Sequence, residues 1–127
     1  MSEKTEGEHA ERRRHTRYDL AMPLRYRKAG MTNACDTTCE NICFGGLMLV
    51  SREALTPGDV LNLTLPYPDD PRSGGLEIQG TVIWTDAYAH PDPAGAPCHH
   101  VGVQFMNVSA ALFQELEQFL HKYCKGA

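Results

Sequence analysis

From Leu20 the chain alternates: Leu20, Met22, Leu24 and Tyr26 fall on one face of an extended segment, while Arg25 and Arg27 fall on the other. Period-two alternation marks a half-buried strand, and Pro23, which cannot donate to a ladder, points to an edge or bulge position. Lys28 to Gly30 read as a turn, and Thr32 to Cys39 as a weaker, more polar second strand. Next, Asn41-Ile42-Cys43-Phe44-Gly45-Gly46 runs straight into Leu47-Met48-Leu49-Val50. Adjacent glycines permit positive φ and close backbone approach, so Asn41 to Gly46 reads as a tight turn feeding a buried third strand.

Ser51 to Gly58 form a loop in which Pro57-Gly58-Asp59 is strong turn chemistry. Val60 to Leu65, with Leu61, Leu63 and Leu65 alternating, is a fourth strand; Pro66 to Gly75 is an exposed loop rich in proline and glycine. Leu76 to Thr85 is the clearest strand, with Leu76, Ile78, Gly80, Val82 and Trp84 expected on one face and Glu77, Gln79 and Thr81 on the other. After a second loop, Asp86 to Pro97, a sixth strand is marked by Val101, Val103 and Phe105. The pattern then changes period. Ser109 is a candidate N-cap, and Leu112, Leu116, Phe119, Leu120 and Tyr123 recur at spacings of three and four, predicting an amphipathic helix that ends near Gly126. Six strands with hairpin-like connections and one terminal helix predict an antiparallel barrel or sandwich with the helix as plug or lid.

At 127 residues with 42% hydrophobic content, the chain is sized for one domain with an ordinary core. Its net charge of -4 argues against DNA or RNA as a partner, because bulk nucleic-acid binding needs a basic footprint that neutralises many phosphates. No apolar run approaches the roughly 18 residues of a membrane span, and the polar start is unlike a signal peptide, so a cytoplasmic protein is expected, as a monomer or weak dimer. Five cysteines in such a chain fit free thiols better than a disulfide framework. Against the acidic background, Arg12, Arg13, Arg14 and Arg17 gather four of the 12 Lys and Arg residues into a short arm. Arginine forks grip phosphate, and also the O6/N7 edge of guanine. Residues 1–10 before the arm read as a mobile polar tail.

Cys35, Cys39 and Cys43 are evenly spaced, and His90, Cys98, His99 and His100 cluster later, which raises the question of a metal. An extended chain rises about 3.3 Å per residue, so Cys35 and Cys39 would stand roughly 13 Å apart, too far to share an ion with zinc–sulfur bonds of about 2.3 Å. No metal cofactor is therefore expected, and the thiols read as small core residues. Catalysis has no better support: no nucleophile signature surrounds Cys43 or Cys98, and neither glycine pair has the spacing of a phosphate-binding loop.

The arginine arm followed by Asn41-Ile42-Cys43-Phe44-Gly45-Gly46 resembles the PilZ domain family, small bacterial six-stranded barrels that bind cyclic di-GMP. Arg13 and Arg17 match the family's pair of arginines separated by three residues; Asn41 and Gly46 match its second motif, in which Cys43 stands where serine is usual. The likeness continues through Leu20 to Tyr26, Ile78 to Trp84, Val101-Gly102-Val103-Gln104-Phe105 and the closing helix, covering Glu11 to Tyr123. It implies a mainly β chain: an arm over residues 11–19, a six-stranded antiparallel barrel over 20–107 and a C-terminal helix over 109–125. It further implies a non-enzymatic receptor that passes its signal to an unidentified downstream protein. Arg12, Arg13, Arg14 and Arg17 would hold phosphates and guanine edges, the Asn41, Cys43, Gly45 and Gly46 turn would supply polar contacts, and Trp84 would stack on a guanine unless it is core. A thiol at 43 is bulkier than a hydroxyl and a weaker hydrogen-bonding group, so binding should weaken but survive. The alternative is a degenerate, PilZ-like protein-interaction module that binds no nucleotide.

Overall fold

The computed structural model describes residues 22–86, 90–91, 95 and 97–124. Six long strands are β1 (Met22–Lys28), β2 (Cys35–Ile42), β3 (Gly46–Ser51), β4 (Val60–Pro66), β5 (Gly75–Thr85) and β7 (Pro97–Met106); a two-residue β6 (His90–Pro91) pairs with the start of β7. One helix, α1 (Ala110–Tyr123), follows. The order β3-β2-β1-β4-β5-β7 closes on itself through β3 and β7, antiparallel at every junction, so the sheet is a barrel and not a sandwich. Closure leaves no long edge for another chain to pair with.

Alternation fills the barrel. Leu24, Leu49, Leu61, Leu63, Leu65 and Leu76 are all fully buried, each such side chain contributing about 1.5–3 kcal/mol by leaving water. Leu116, Phe119 and Leu120 of α1 join the same core, which makes the helix a plug. Its start follows the expected chemistry: Ser109 Oγ accepts from the Leu112 amide at 3.1 Å. The helix stops at Tyr123, capped by Cys124; Gly126 lies outside the described residues. No described helix is long and apolar enough to cross a membrane.

Several boundaries differ from those expected. The second strand starts at Cys35, not Thr32, and continues to Ile42, so Asn41 and Ile42 belong to the ladder opposite Met48 and Leu47, and the turn proper is confined to Cys43–Gly45. Lys28 pairs with Leu61 and ends β1 instead of opening the turn. Pro23 sits on an interior strand, tolerated because the β1–β4 ladder begins only at Arg25 and leaves that end of β1 paired on one side. The last long strand begins at Pro97, four residues before the apolar alternation that announces it, and the expected 86–97 loop contains β6. A single 3-10 turn, Pro71–Ser73, orders the 66–75 loop.

Candidate functional site

Two β-bulges shape the outer face of four consecutive strands. On β2, Cys39 opposes Leu49 and Asn41 opposes Met48, so Glu40 is an extra residue. It lets Cys39 and Ile42 both point inward while Asn41 turns to the outer face. On β5, Val82 opposes Val103 and Trp84 opposes Gly102, so Ile83 is extra. The expected alternation buries Trp84 with Val82; the bulge instead reverses the strand after Val82, and Trp84 emerges 42% exposed. The core-packing reading of Trp84 is thus corrected by a single inserted residue.

The pairings place Asn41, Met48, Gly102 and Trp84 in one row straight across β2, β3, β7 and β5. A second row runs beside it: Gly46 opposes Gln104, which opposes Thr81, and the Cys43 amide donates to Gly46 O at 2.8 Å. Between the rows lies a cavity of about 370 Å³, lined by Asn41, Cys43, Gly45, Gly46, Trp84 and Gln104 among others. All the described residues singled out from the sequence therefore line one concavity. Arg12, Arg13, Arg14 and Arg17 lie outside the described residues.

The two glycines of the turn do different jobs from those expected. Neither has positive φ. A Cβ on Gly46 would stand 2.1 Å from Val103 O, so Gly46 is required by the close approach of β3 to β7. Gly45 faces open space, and its carbonyl accepts from the Phe105 amide at 2.9 Å. Between them and Cys43, Phe44 turns away from the cavity to stack on Phe113 of α1, with centroids 5.2 Å apart and planes 29° apart.

Sequence reasoning missed Gly102, Met48 and Gln104 as members of this surface. Alternation around buried Val101, Val103 and Phe105 does put Gly102 and Gln104 on the outer face, but nothing in the sequence says which outer residues share a concavity.

Apart from Cys43, no described titratable group lines the cavity. Burial pushes the Cys39 thiol up to about 12, its sulfur donating to Asn41 O at 3.2 Å. The Tyr26 hydroxyl lies 2.9 Å from Ser51 Oγ and donates to Glu53 Oε1 at 3.0 Å; burial chiefly raises its pKa. Burial also raises the Cys35 and Cys124 thiols. Asp69 is held below its usual range by a 2.7 Å hydrogen bond from Tyr123 and by Lys122. His100 Nδ1 lies 2.9 Å from Asp86 Oδ2, and His99 opposes Ser51. All five cysteines are unpaired, and no group of three or more metal-ligating side chains converges among the described residues.

The PilZ domain family profile matches residues 11–122. No curated protein matches in sequence. Among solved structures, the chain is similar to the PilZ domain of YcgR from Escherichia coli with c-di-GMP, at 15% identity and a TM-score of 0.66, covering 87% of this chain and 89% of that one. It is also similar to the Bacillus subtilis inhibitor of motility MotI/DgrA, at 21% identity and a TM-score of 0.61 over 85% of this chain. The K. pneumonia MrkH–c-di-GMP complex matches at 14% identity and a TM-score of 0.63 over 85% of this chain. The chain spans about half the length of the last two, 48% and 50% respectively. At these identities the structures speak to fold, and the profile speaks to family: the chain belongs to the PilZ domain family, whose members are non-enzymatic.

Proposed function

We propose that this chain is a cytoplasmic receptor for cyclic di-GMP in bacterial second-messenger signalling. The arm carrying Arg12, Arg13, Arg14 and Arg17 supplies the cationic half of the site, and the Asn41–Trp84 face supplies the other. Asn41 reads a base edge, Gly45 and Gly46 keep the turn low, and the open face of Trp84 stacks on guanine. The family's typical ligand and the c-di-GMP in two of the similar structures support this reading.

The observation that carries it is a register. Met22, the first described residue of β1, opposes Cys39, two positions from Asn41. The point where the arm joins the barrel is therefore one strand from the Asn41 end of the cavity. Arg17 is five residues upstream, a reach of up to about 17 Å for extended backbone. Along this face Asn41 is one strand spacing from β1 and Trp84 is four, about 5 Å and about 19 Å; Arg13, nine residues upstream of Met22, reaches up to about 30 Å. An arm attached there has the length to cross the whole face and deliver its guanidinium groups to a ligand lying on it.

The test is calorimetric titration of the full chain with cyclic di-GMP, with GTP as control. Saturable heat is expected with the cyclic dinucleotide only, and Arg13→Ala should abolish it. Absence of heat and of thermal protection at high micromolar ligand would favour a protein-interaction module instead.

A further inference from the structure

Gln104 stands on the outer face of β7, opposite Gly46 and two residues from Gly102, over which the Trp84 ring lies. It is exposed to the cavity, and among the described residues no hydrogen bond occupies its amide. Two residues along a strand is about 6.7 Å, the distance from the centre of a base stacked on Trp84 to a side chain that meets its edge. Flanking positions do not offer this. Gly46 and Gly102 carry no side chain, and Thr81 already donates to the Met106 sulfur at 2.9 Å.

We propose that Gln104 is a further ligand-binding residue: its carboxamide pairs with the Watson–Crick edge of the guanine stacked on Trp84. This rests on the cyclic di-GMP reading above. Nε2 donates to guanine O6, and Oε1 accepts from N1–H, a two-bond match that one flat amide can make in a single orientation. Arginines that take the N7/O6 side leave this edge open. The turn and the arm hold the ligand, while Gln104 adds two bonds to its base edge.

The single tryptophan makes the experiment clean. Affinities for cyclic di-GMP and cyclic di-IMP, whose base lacks the 2-amino group, are measured by calorimetry together with Trp84 fluorescence, for the full chain and for Gln104→Ala and Gln104→Glu. Wild type should bind both ligands about equally, because the amide uses only O6 and N1–H. Gln104→Ala should weaken both by about tenfold, the loss of two neutral hydrogen bonds, with the Trp84 fluorescence change at saturation retained. Gln104→Glu should favour guanine over hypoxanthine, because a carboxylate accepts from N1–H and from the 2-amino group, of which hypoxanthine offers only the first. That gain of discrimination would not follow from a structural role. Unchanged affinity in Gln104→Ala, or equal losses for both ligands in Gln104→Glu, would overturn the assignment while leaving the receptor reading intact. Failure of wild type to bind cyclic di-GMP would overturn both.

Discussion

The ring of Trp84 occupies the space that a side chain on Gly102 would claim: a Cβ built there lies 2.0 Å from Trp84 Nε1 and 2.3 Å from Cε2. One face of the indole is thereby seated on bare backbone and the other is left open. A seated ring loses little freedom when a base stacks on it, which is how preorganisation adds affinity. Gly102→Val should unseat the indole without touching the core side of β7. The expected results are a red-shifted tryptophan emission, a loss of at least tenfold in cyclic di-GMP affinity, and a stability change of about 1 kcal/mol in urea. A mutant that kept wild-type emission and affinity would show that the seat has no role in binding.

Cys43 lines the same cavity from the turn. Replacing a weakly hydrogen-bonding thiol by a hydroxyl restores one neutral hydrogen bond, about 0.5–1.5 kcal/mol, or up to about tenfold in affinity. Cys43→Ser should therefore tighten binding in calorimetry. Equal or weaker affinity would mean that the thiol does not stand in for a hydroxyl at this position.

The paired glycines should separate cleanly by stability. Gly46→Ala drives a methyl against the Val103 carbonyl, a backbone atom that cannot step aside, whereas Gly45→Ala meets nothing within 4 Å. Urea denaturation should show Gly46→Ala losing about 2 kcal/mol or more and Gly45→Ala staying within about 0.5 kcal/mol of wild type. Similar losses in both would shift the explanation from close approach to turn conformation.

Most of the barrel was legible in sequence because inward and outward positions alternate with period two, and that period survives in β1, β3 and β4. The candidate site was less legible because its geometry is made by exceptions to the period. Glu40 and Ile83 are single-residue insertions that re-aim Asn41 and Trp84, and neither residue type announces a bulge. Asn41 was expected at the site as part of a turn, yet it reaches the surface from within a strand. Trp84 was expected at the site by resemblance and in the core by alternation, and the bulge takes it out of the core. Gln104 lay in a stretch that carries the family likeness but had no site role there; only the β3–β7 closure brings it beside Gly46.

Stability should fall on the alkaline side. Burial holds the Cys39 thiol at about 12, above its ordinary value of 9.0. Tyr26 is likewise raised, with burial leading, the Ser51 bond opposing and Glu53 adding. A group whose folded pKa is raised keeps its proton longer in the native state, so its contribution is complete below the unfolded value and is lost as pH climbs towards the folded one. For Cys39 the window runs from 9.0 to about 12. Each such group adds a slope of at most about 1.4 kcal/mol per pH unit there. Urea midpoints at about pH 8 and about pH 10.5 should differ, and Cys39→Val should reduce the difference. A flat profile in wild type would show that the thiol is solvated before it ionises.

Phe44 links the turn to the helix. Its neighbours Cys43 and Gly45 line the cavity, while its own ring stacks on Phe113, which stays 43% exposed with the stack in place. An aromatic pair of this geometry is worth about 0.5–1.5 kcal/mol beyond its buried area. Part of that energy holds the turn in the one conformation that sets the height of Cys43 and Gly45. Phe113→Ala removes the ring from outside the cavity, so any effect on ligand must travel through Phe44. The expected outcome is a loss of about 1 kcal/mol in urea and a threefold to tenfold weaker affinity for cyclic di-GMP, with the difference appearing in the dissociation rate. Phe113→Leu, which keeps an apolar contact but not the stack, should fall between. If Phe113→Ala loses stability and keeps full affinity, the turn is rigid without the helix, and the stack serves the fold alone.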